Sequence, residues 1–279
     1  MERHVATSEL LIGIEGLALL RHLYDGDDTG AASRLREVRG IVDADGADGE
    51  PIAEAAPRDG YAAWAPSYDE PGNPIVALEG RAVRSMLDDA PAGRALDAAC
   101  GTGRHAAELA RRGHRVDGFD LTPEMLAIAR TSVPQGRFAE GDLLAIPFAD
   151  GSFDLVVCGL ALAHVARLRE AIGELGRVLA PGGRAILSVL HPLLAALGWH
   201  APFQDARGRR RFVREHDHTH SDYLAALRDA GLRFEELAEP RLDAEHVAAK
   251  RRAMRAIPEA TVAAYAGLPA VLVLAARKP

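Results

Sequence analysis

The stretch from Arg94 to Asp120, RALDAACGTGRHAAELARRGHRVDGFD, constrains the chain more than any other. Ala95, Leu96 and Ala98 are apolar around Asp97, Cys100-Gly101-Thr102-Gly103 interrupts the pattern, and Ala106, Leu109 and Ala110 restart it at helical spacing. Arg115 to Phe119 then reads as a second strand that ends on Asp120. A strand, a glycine-bearing turn, an amphipathic helix and a strand in that order open an α/β domain, and the rest of the chain is placed relative to them.

Glycine at 101 and 103 allows backbone conformations closed to residues with a Cβ and lets a ligand approach the main chain. Asp120 lies 19 residues beyond Gly101, near the spacing at which an acid meets ribose hydroxyls in nucleotide-binding folds. A dinucleotide fingerprint would carry a third glycine three residues after Gly103, and Ala106 stands there instead. The acid at Asp97 suits a cationic amino-acid end better than a phosphate.

On these residues the segment resembles motif I of the class I S-adenosylmethionine-dependent methyltransferases, an acid followed by glycines at alternating positions, written here DAACGTG. Ala99 stands where that family usually has glycine. The resemblance implies a Rossmann-like, seven-stranded, doubly wound α/β sheet and S-adenosyl-L-methionine as cofactor. It implies cofactor contacts from Asp97, Ala99, Gly101, Gly103 and Asp120, with Leu121 and Met125 flanking the adenine. Asp142 and the backbone of Leu143 stand where the family hydrogen-bonds the adenine amino group.

Tyr61-Ala-Ala-Trp64-Ala-Pro-Ser-Tyr68-Asp69 gathers three of the chain's few aromatics in eight residues. It resembles the entry segment of small-molecule methyltransferases similar to the ubiquinone/menaquinone methylases, where it folds over the cofactor as a lid. That makes Tyr61 and Tyr68 cofactor-side candidates; Trp64 reads equally well as a ring stapling a helix to the core.

Downstream, Thr122-Pro123-Glu124 reads as a helix start, with Thr122 as its cap. Ser152 to Cys158 is a continuous apolar run of the kind buried on both faces of a parallel sheet. The run leads into Gly159-Leu160-Ala161-Leu162-Ala163-His164, without the Asn/Asp-Pro-Pro-aromatic sequence of nucleobase and amide methylases. A helix from Leu168 to Leu179, the Ala180-Pro181-Gly182-Gly183 turn, a strand to Leu190, and two last strands at 233–237 and 270–276 complete the expected sheet.

The chain is divided into an N-terminal helical extension and linker over residues 1–60 and a methyltransferase domain over 61–279, with an insertion at about 193–220. Helices are read at 9–24 and 30–42, and a linker over Asp43 to Asp59, rich in Asp, Gly, Ala and Pro. The first sixty residues are assigned to a homodimer contact or to covering the pocket.

Three histidines are base candidates, because imidazole titrates near neutrality. His191 comes first, just past a carboxyl strand end where open α/β sheets bind ligands; His164 and His220 are its rivals. His216-Asp-His218-Thr-His220 spaces three histidines by two, as metal ligands on one strand face would be. No carboxylate or cysteine is fixed by spacing nearby, so the run reads as a polar loop and no metal is assigned.

A formal net charge of −7 argues against a nucleic-acid partner. Two cysteines in apolar surroundings, no membrane-length apolar run and no signal-peptide order in Met1-Glu2-Arg3-His4 point to a cytoplasmic protein without a membrane partner. Arginine-dominated positive charge with abundant alanine and glycine suggests a GC-rich bacterial source.

The expected acceptor is a small, largely apolar molecule, a specialised metabolite or quinone-like compound, held by Leu193, Leu194, Leu197, Trp199 and Phe203. Oxygen is the first choice of methylated atom and carbon the second. A cofactor-assisted cyclisation or decarboxylation, and cofactor sensing without turnover, are the competing readings.

Overall fold

A computed structural model describes residues 3–44 and 50–279; Met1, Glu2 and residues 45–49, the latter within the stretch read as a linker, lie outside them. The chain opens with β1 (Arg3–Val5), α1 (Thr7–Arg21) and α2 (Asp28–Asp43), and Asp27 caps α2 by accepting the Gly30 N–H at 2.6 Å. β2 (Glu50–Ala55) pairs antiparallel with β1 inside the expected linker. Its six residues of weak hydropathy carry no periodic signal, so the partner strand, not the local pattern, makes this one.

Then come α3 (Pro57–Trp64), α4 (Pro74–Met86), β3 (Arg94–Ala98), α5 (Arg104–Arg111), β4 (Arg115–Asp120), α6 (Pro123–Ser132), β5 (Arg137–Glu140), β6 (Phe153–Gly159), α7 (Leu168–Val178) and β7 (Leu179–Leu190). The remainder comprises α8 (Pro192–Ala196), the hairpin β8 (Ala201–Gln204) and β9 (Arg210–Val213), α9 (His220–Asp229), β10 (Arg233–Ala238), α10 (Ala244–Ala248), α11 (Arg251–Ala256), α12 (Pro258–Tyr265) and β11 (Val271–Arg277). No helix among the described residues is long and apolar enough to cross a membrane.

Seven strands form one sheet in the order β10-β11-β7-β6-β3-β4-β5. The pairs β6–β7, β3–β6, β3–β4 and β4–β5 are parallel, and β11 runs antiparallel between β7 and β10, with Val271 opposite Leu190. Leu155 to Cys158 and Val271 to Ala276 are buried throughout, the pattern of strands covered on both faces. The expected Rossmann-like seven-stranded sheet is therefore present, with its antiparallel strand one place in from the edge. The Pro181-Gly182-Gly183 segment is drawn into β7, with Gly182 at φ 78° and its N–H donated to Lys278 O.

By its contacts the chain divides into two compact units. One gathers Met1–Glu54, Gly72–Pro74 and Arg241–Leu268; the other holds Ala55–Pro71, Ile75–Pro240 and Pro269–Pro279, and so contains the whole sheet. The sequence reading sets a single boundary at residue 60. In the first unit α1 packs on α2 and on α12, and Arg21 Nη1 donates to Ala263 O and Ala264 O at 3.0 and 2.8 Å, satisfying carbonyls of the last turn of α12.

In the second unit one buried carboxylate ties three elements together. Glu79 of α4, fully buried, accepts from Ser188 of β7 at 2.6 Å, meets His105 Nε2 of α5 at 2.8 Å and pairs with Arg104 at 2.7 Å. Burial alone would raise its pKa, but the His105 charge and hydrogen bond, Arg104 and Ser188 outweigh that and hold it at about 2, below the ordinary 4.5. A carboxyl lowered in the folded state stabilises fully above its unfolded value and loses that contribution as pH falls through its folded one. Thermal melts should therefore show stability falling between about pH 4.5 and 2. Glu79→Gln, which leaves buried His105 and half-buried Arg104 without their counter-charge, should cost ~3–5 kcal/mol at neutral pH and flatten that acid limb.

Candidate functional site

The turn after β3 is fixed by backbone N–H groups and the acids that follow the strands. Cys100 N–H donates to Phe119 O at 2.8 Å, and Gly101 N–H donates to Asp120 Oδ2, also at 2.8 Å. The other Asp120 oxygen accepts the Thr122 N–H at 2.9 Å. Thr122 therefore makes no side-chain cap of α6, contrary to the sequence expectation; it is drawn to the Asp120 carboxylate instead. Burial raises the Asp120 pKa, partly offset by these donors.

Among the described residues, two that are not glycine sit in the left-handed region, Ala99 at φ 54° and Leu160 at φ 56°, each just past the end of a central strand. Left-handed backbone costs an L-residue about 1–2 kcal/mol, so a glycine at 99 would sit there more easily. Gly101, at φ 55°, faces open space: a Cβ there would meet no heavy atom within 4 Å. Gly103, at φ 86°, is required for a different reason, since a Cβ would come within 3.1 Å of Ala129 on α6.

Above this turn lies a cavity of about 290 Å³. Of the eleven residues singled out in the sequence for the cofactor, Tyr61, Tyr68, Ala99, Gly101, Asp120, Leu121, Met125, Asp142 and Leu143 line it. Asp97 and Gly103 are not among its lining residues. Asp97 is buried beneath the turn, where Oδ2 accepts the Ala106 N–H at 2.7 Å and fixes the first turn of α5. Burial pushes it up to about 7, against the lowering effect of His105 and that hydrogen bond. Asp142 accepts the Leu144 N–H at 2.9 Å and so shapes the loop after β5.

The aromatic segment divides as its chemistry suggests. Tyr61 and Tyr68 face the cavity, whereas Trp64 stacks on Phe203 at 5.7 Å in a small cluster with Ala55 and Val213. Thr102 Oγ1 donates to Asp69 at 3.0 Å and fastens this segment to the glycine turn.

The three histidines do not come together. His164 lines the cavity: its Nδ1 bonds to Arg214 O at 2.6 Å and its Nε2 to the Tyr61 hydroxyl at 2.8 Å. A carbonyl can only accept, so Nδ1 carries the proton and Nε2 receives the Tyr61 O–H. Burial lowers the His164 pKa and raises that of Tyr61 well above 10, so both are neutral in this arrangement.

His191 and His220 are not among the lining residues; they meet Glu239 Oε1 at 2.9 and 3.0 Å with their rings 5.0 Å apart. Hydrogen bonds from both rings lower the Glu239 pKa. The three donor atoms lie within 4.8 Å of one another, a spacing that a metal ion bridges after small shifts. The Leu193 N–H, however, donates to His191 Nδ1 at 3.1 Å. That leaves the His191 proton on Nε2, aimed at Glu239, where a metal ligand would need a bare nitrogen.

The insertion contributes backbone rather than the expected apolar side chains. Leu193, Leu194, Leu197, Trp199 and Phe203 are not among the lining residues. After β9 the chain straps across residues 163–165: His216 N–H donates to Ala163 O at 2.7 Å and His218 Nε2–H to Val165 O at 2.9 Å. Between them Glu215 is nine-tenths buried, with Oε1 3.6 Å from His164 Nε2 and Oε2 without a hydrogen-bond partner. Burial pushes its carboxyl up to about 8. No sequence pattern marked Glu215, because its neighbour His164 lies 51 positions earlier and only the docking of the strap joins them.

Two acids at strand ends, an open glycine backbone, apolar walls from Leu121, Met125 and Leu143, and a neutral phenol–imidazole pair suit a nucleoside-bearing ligand beside a second, less polar one. Residues 96–187 match the family described as methyltransferase domain. Over 118 residues the chain is 46% identical to a demethylmenaquinone methyltransferase of Thermus thermophilus, covering 40% of this chain and 53% of that protein. Over 110 residues it is 44% identical to a 2-phytyl-1,4-naphtoquinone methyltransferase of Thermosynechococcus vestitus, covering 37% and 49%. The chain thus spans about half the length of the curated relatives it matches. An S-adenosylmethionine-dependent methyltransferase structure from Mesorhizobium loti superposes with a TM-score of 0.56 at 26% identity, covering 72% of this chain and 97% of that one. Over residues 96–187 the glycine turn and the parallel strands that carry it are thus similar to those of S-adenosylmethionine-dependent methyltransferase domains.

Proposed function

We propose that the chain is a cytoplasmic enzyme that transfers a methyl group from S-adenosyl-L-methionine to an oxygen of a small, largely apolar, quinone-like acceptor. The observation that carries this reading is the cavity over Gly101, with Asp120 and Asp142 at its polar edges, Leu121, Met125 and Leu143 on its walls, and Tyr61 paired to His164. The cofactor supplies an activated methyl group, so this chain has to bind, orient, exclude water and manage one proton.

Asp120, which lines the cavity at the end of β4, is the acceptor for the ribose hydroxyls, and the donors from Gly101 and Thr122 hold its carboxylate in place. Leu121, Met125 and Leu143 sandwich the adenine, and Asp142 faces its amino edge. Asp97, held up at about 7, is ionised most readily when a cationic group sits over the turn, which makes it the counter-charge for the ammonium end. Tyr61 and Tyr68 cover the reacting end. His164 is the base among the three histidines, because its Nε2 lone pair is turned to the cavity-lining Tyr61 hydroxyl. The names of the two quinone methyltransferases support the acceptor class.

Calorimetry with S-adenosyl-L-methionine or its demethylated product should give a dissociation constant on the order of micromolar. Gly101→Ala, whose Cβ would stand in the cavity, should weaken it about tenfold, or ~1.4 kcal/mol. No heat of binding to the folded chain would end the proposal. With a reduced naphthoquinone and the cofactor, mass spectrometry should find a product heavier by one methylene, whereas a cyclisation or decarboxylation adds none. His164→Gln should slow that transfer ~10²-fold at unchanged cofactor affinity. Leu20, Leu23 and Tyr24, exposed at and after the end of α1, make that end our candidate contact for a homodimer. Sedimentation at the mass of a single chain would rule the dimer out.

A further inference from the structure

Glu215 is a buried carboxyl with an unpartnered oxygen, and it stands 3.6 Å from His164 Nε2, the nitrogen that also meets the cavity-lining Tyr61 phenol. A group left so is costly unless it serves a purpose, since an unsatisfied buried carboxyl gives up its hydration for nothing. Its own N–H donates to His200 Nδ1 at 3.2 Å, which fixes the backbone and leaves the carboxyl aimed at His164.

We propose that Glu215 is the residue that finally holds the acceptor's proton, receiving it through Tyr61 and His164 Nε2. This rests on the methyl-transfer reading above and deepens it. The acceptor O–H gives its proton to the Tyr61 oxygen while the Tyr61 proton passes to His164 Nε2 and on to a Glu215 carboxylate oxygen. The electron pair freed on the acceptor oxygen forms the new O–C bond as the donor's S–C bond breaks with its pair left on sulfur. The proton returns to water once the product has left.

The direction of travel follows from burial. His164 is lowered by burial and holds an extra proton poorly, whereas burial pushes Glu215 up to about 8, so of the two the carboxyl keeps it. The 3.6 Å between Nε2 and Oε1 exceeds a hydrogen bond, and gaps of this kind tighten when the second ligand fills the cavity. The titratable groups facing Glu215 are His164, Tyr61 and Tyr223, with His200 against its N–H and Arg214, His216 and Asp217 on its own segment. Burial is what raises the carboxyl in their midst. Glu215 acts through His164 and touches neither ligand.

Two measurements test this. In wild-type protein, the His164 ring nitrogens followed by NMR, identified by their loss in His164→Gln, should show a step near pH 8 as Glu215 ionises. Its absence would overturn the proposal without any Glu215 variant having to fold. With 1,4-dihydroxynaphthalene kept reduced as the probe acceptor, wild-type kcat should climb about tenfold per pH unit below pH 8 and level above it, because only ionised Glu215 can take the proton. Glu215→Gln should be ~10²-fold slower, nearly flat across that window and unchanged in cofactor affinity. A Glu215→Gln enzyme with the wild-type rate and profile would overturn the proposal. If the wild type methylates no probe, the proposed reaction is what has failed, and the NMR step still judges the link between Glu215 and His164.

Discussion

The site depends on the two hydrogen bonds that the Asp120 carboxylate takes from Gly101 and Thr122. A carboxylate accepting main-chain N–H groups at the end of one strand pins the turn that follows the neighbouring strand, so the geometry of the glycine loop is set by β4 as much as by β3. Asp97 completes the arrangement from below by fixing the first turn of α5 through Ala106. With the turn held on both sides, Ala99 is kept in left-handed backbone it would not choose alone, and Leu160, past the end of β6, is held in the same region by its N–H on Ser188 O at 2.8 Å. Strain collected at the cavity floor is offset by the buried sheet around it.

Glu79 has the same role, one layer away. By meeting Ser188, Arg104 and His105 it locks α4 and α5 to β7, and the segment from Tyr61 to Asp69 that precedes α4 is thereby brought to the cavity at a fixed place. Thr102 then needs only one bond to Asp69 to join that segment to the turn. Two acids with opposite burdens result. Glu79 is surrounded by bases and held near 2, while Glu215 meets a neutral imidazole and is pushed up to about 8. Burial is common to both, and the neighbours decide the outcome.

The elements of this fold that were legible in the sequence are those whose cause is local. Leu155 to Cys158 is buried on both faces and announces a central strand by its unbroken hydropathy, and the glycines at 101 and 103 mark a turn because both take left-handed backbone and a Cβ at 103 would press on Ala129. β2 was not legible, because six residues of weak pattern become a strand only by pairing with β1. At the site the same division holds. Asp120, placed by its spacing from Gly101, lines the cavity together with Leu121, Met125 and Asp142, which the family resemblance pointed to. The partner of His164 could not be read, since Tyr61 lies 103 positions away and Glu215 arrives on a strap whose docking is made by main-chain bonds to residues 163–165. His191 sits at a strand end as expected, and its direction is decided by Leu193 N–H and Glu239, which no periodicity reports.

The first compact unit joins residues from both sides of the sheet sequence: α1 rests on α12, and Arg21 caps a helix formed some 240 positions later. Vectorial synthesis runs at about 5–20 residues per second. The opening helices therefore leave the ribosome tens of seconds before α12 exists, at roughly 240 residues divided by that rate. Through that interval α1 has α2 beside it but not the surface of α12, so the packing that buries Ile14 and Ala18 in the finished chain is incomplete. The first unit is therefore completed only once α12 has been made, although it holds the first helix of the chain.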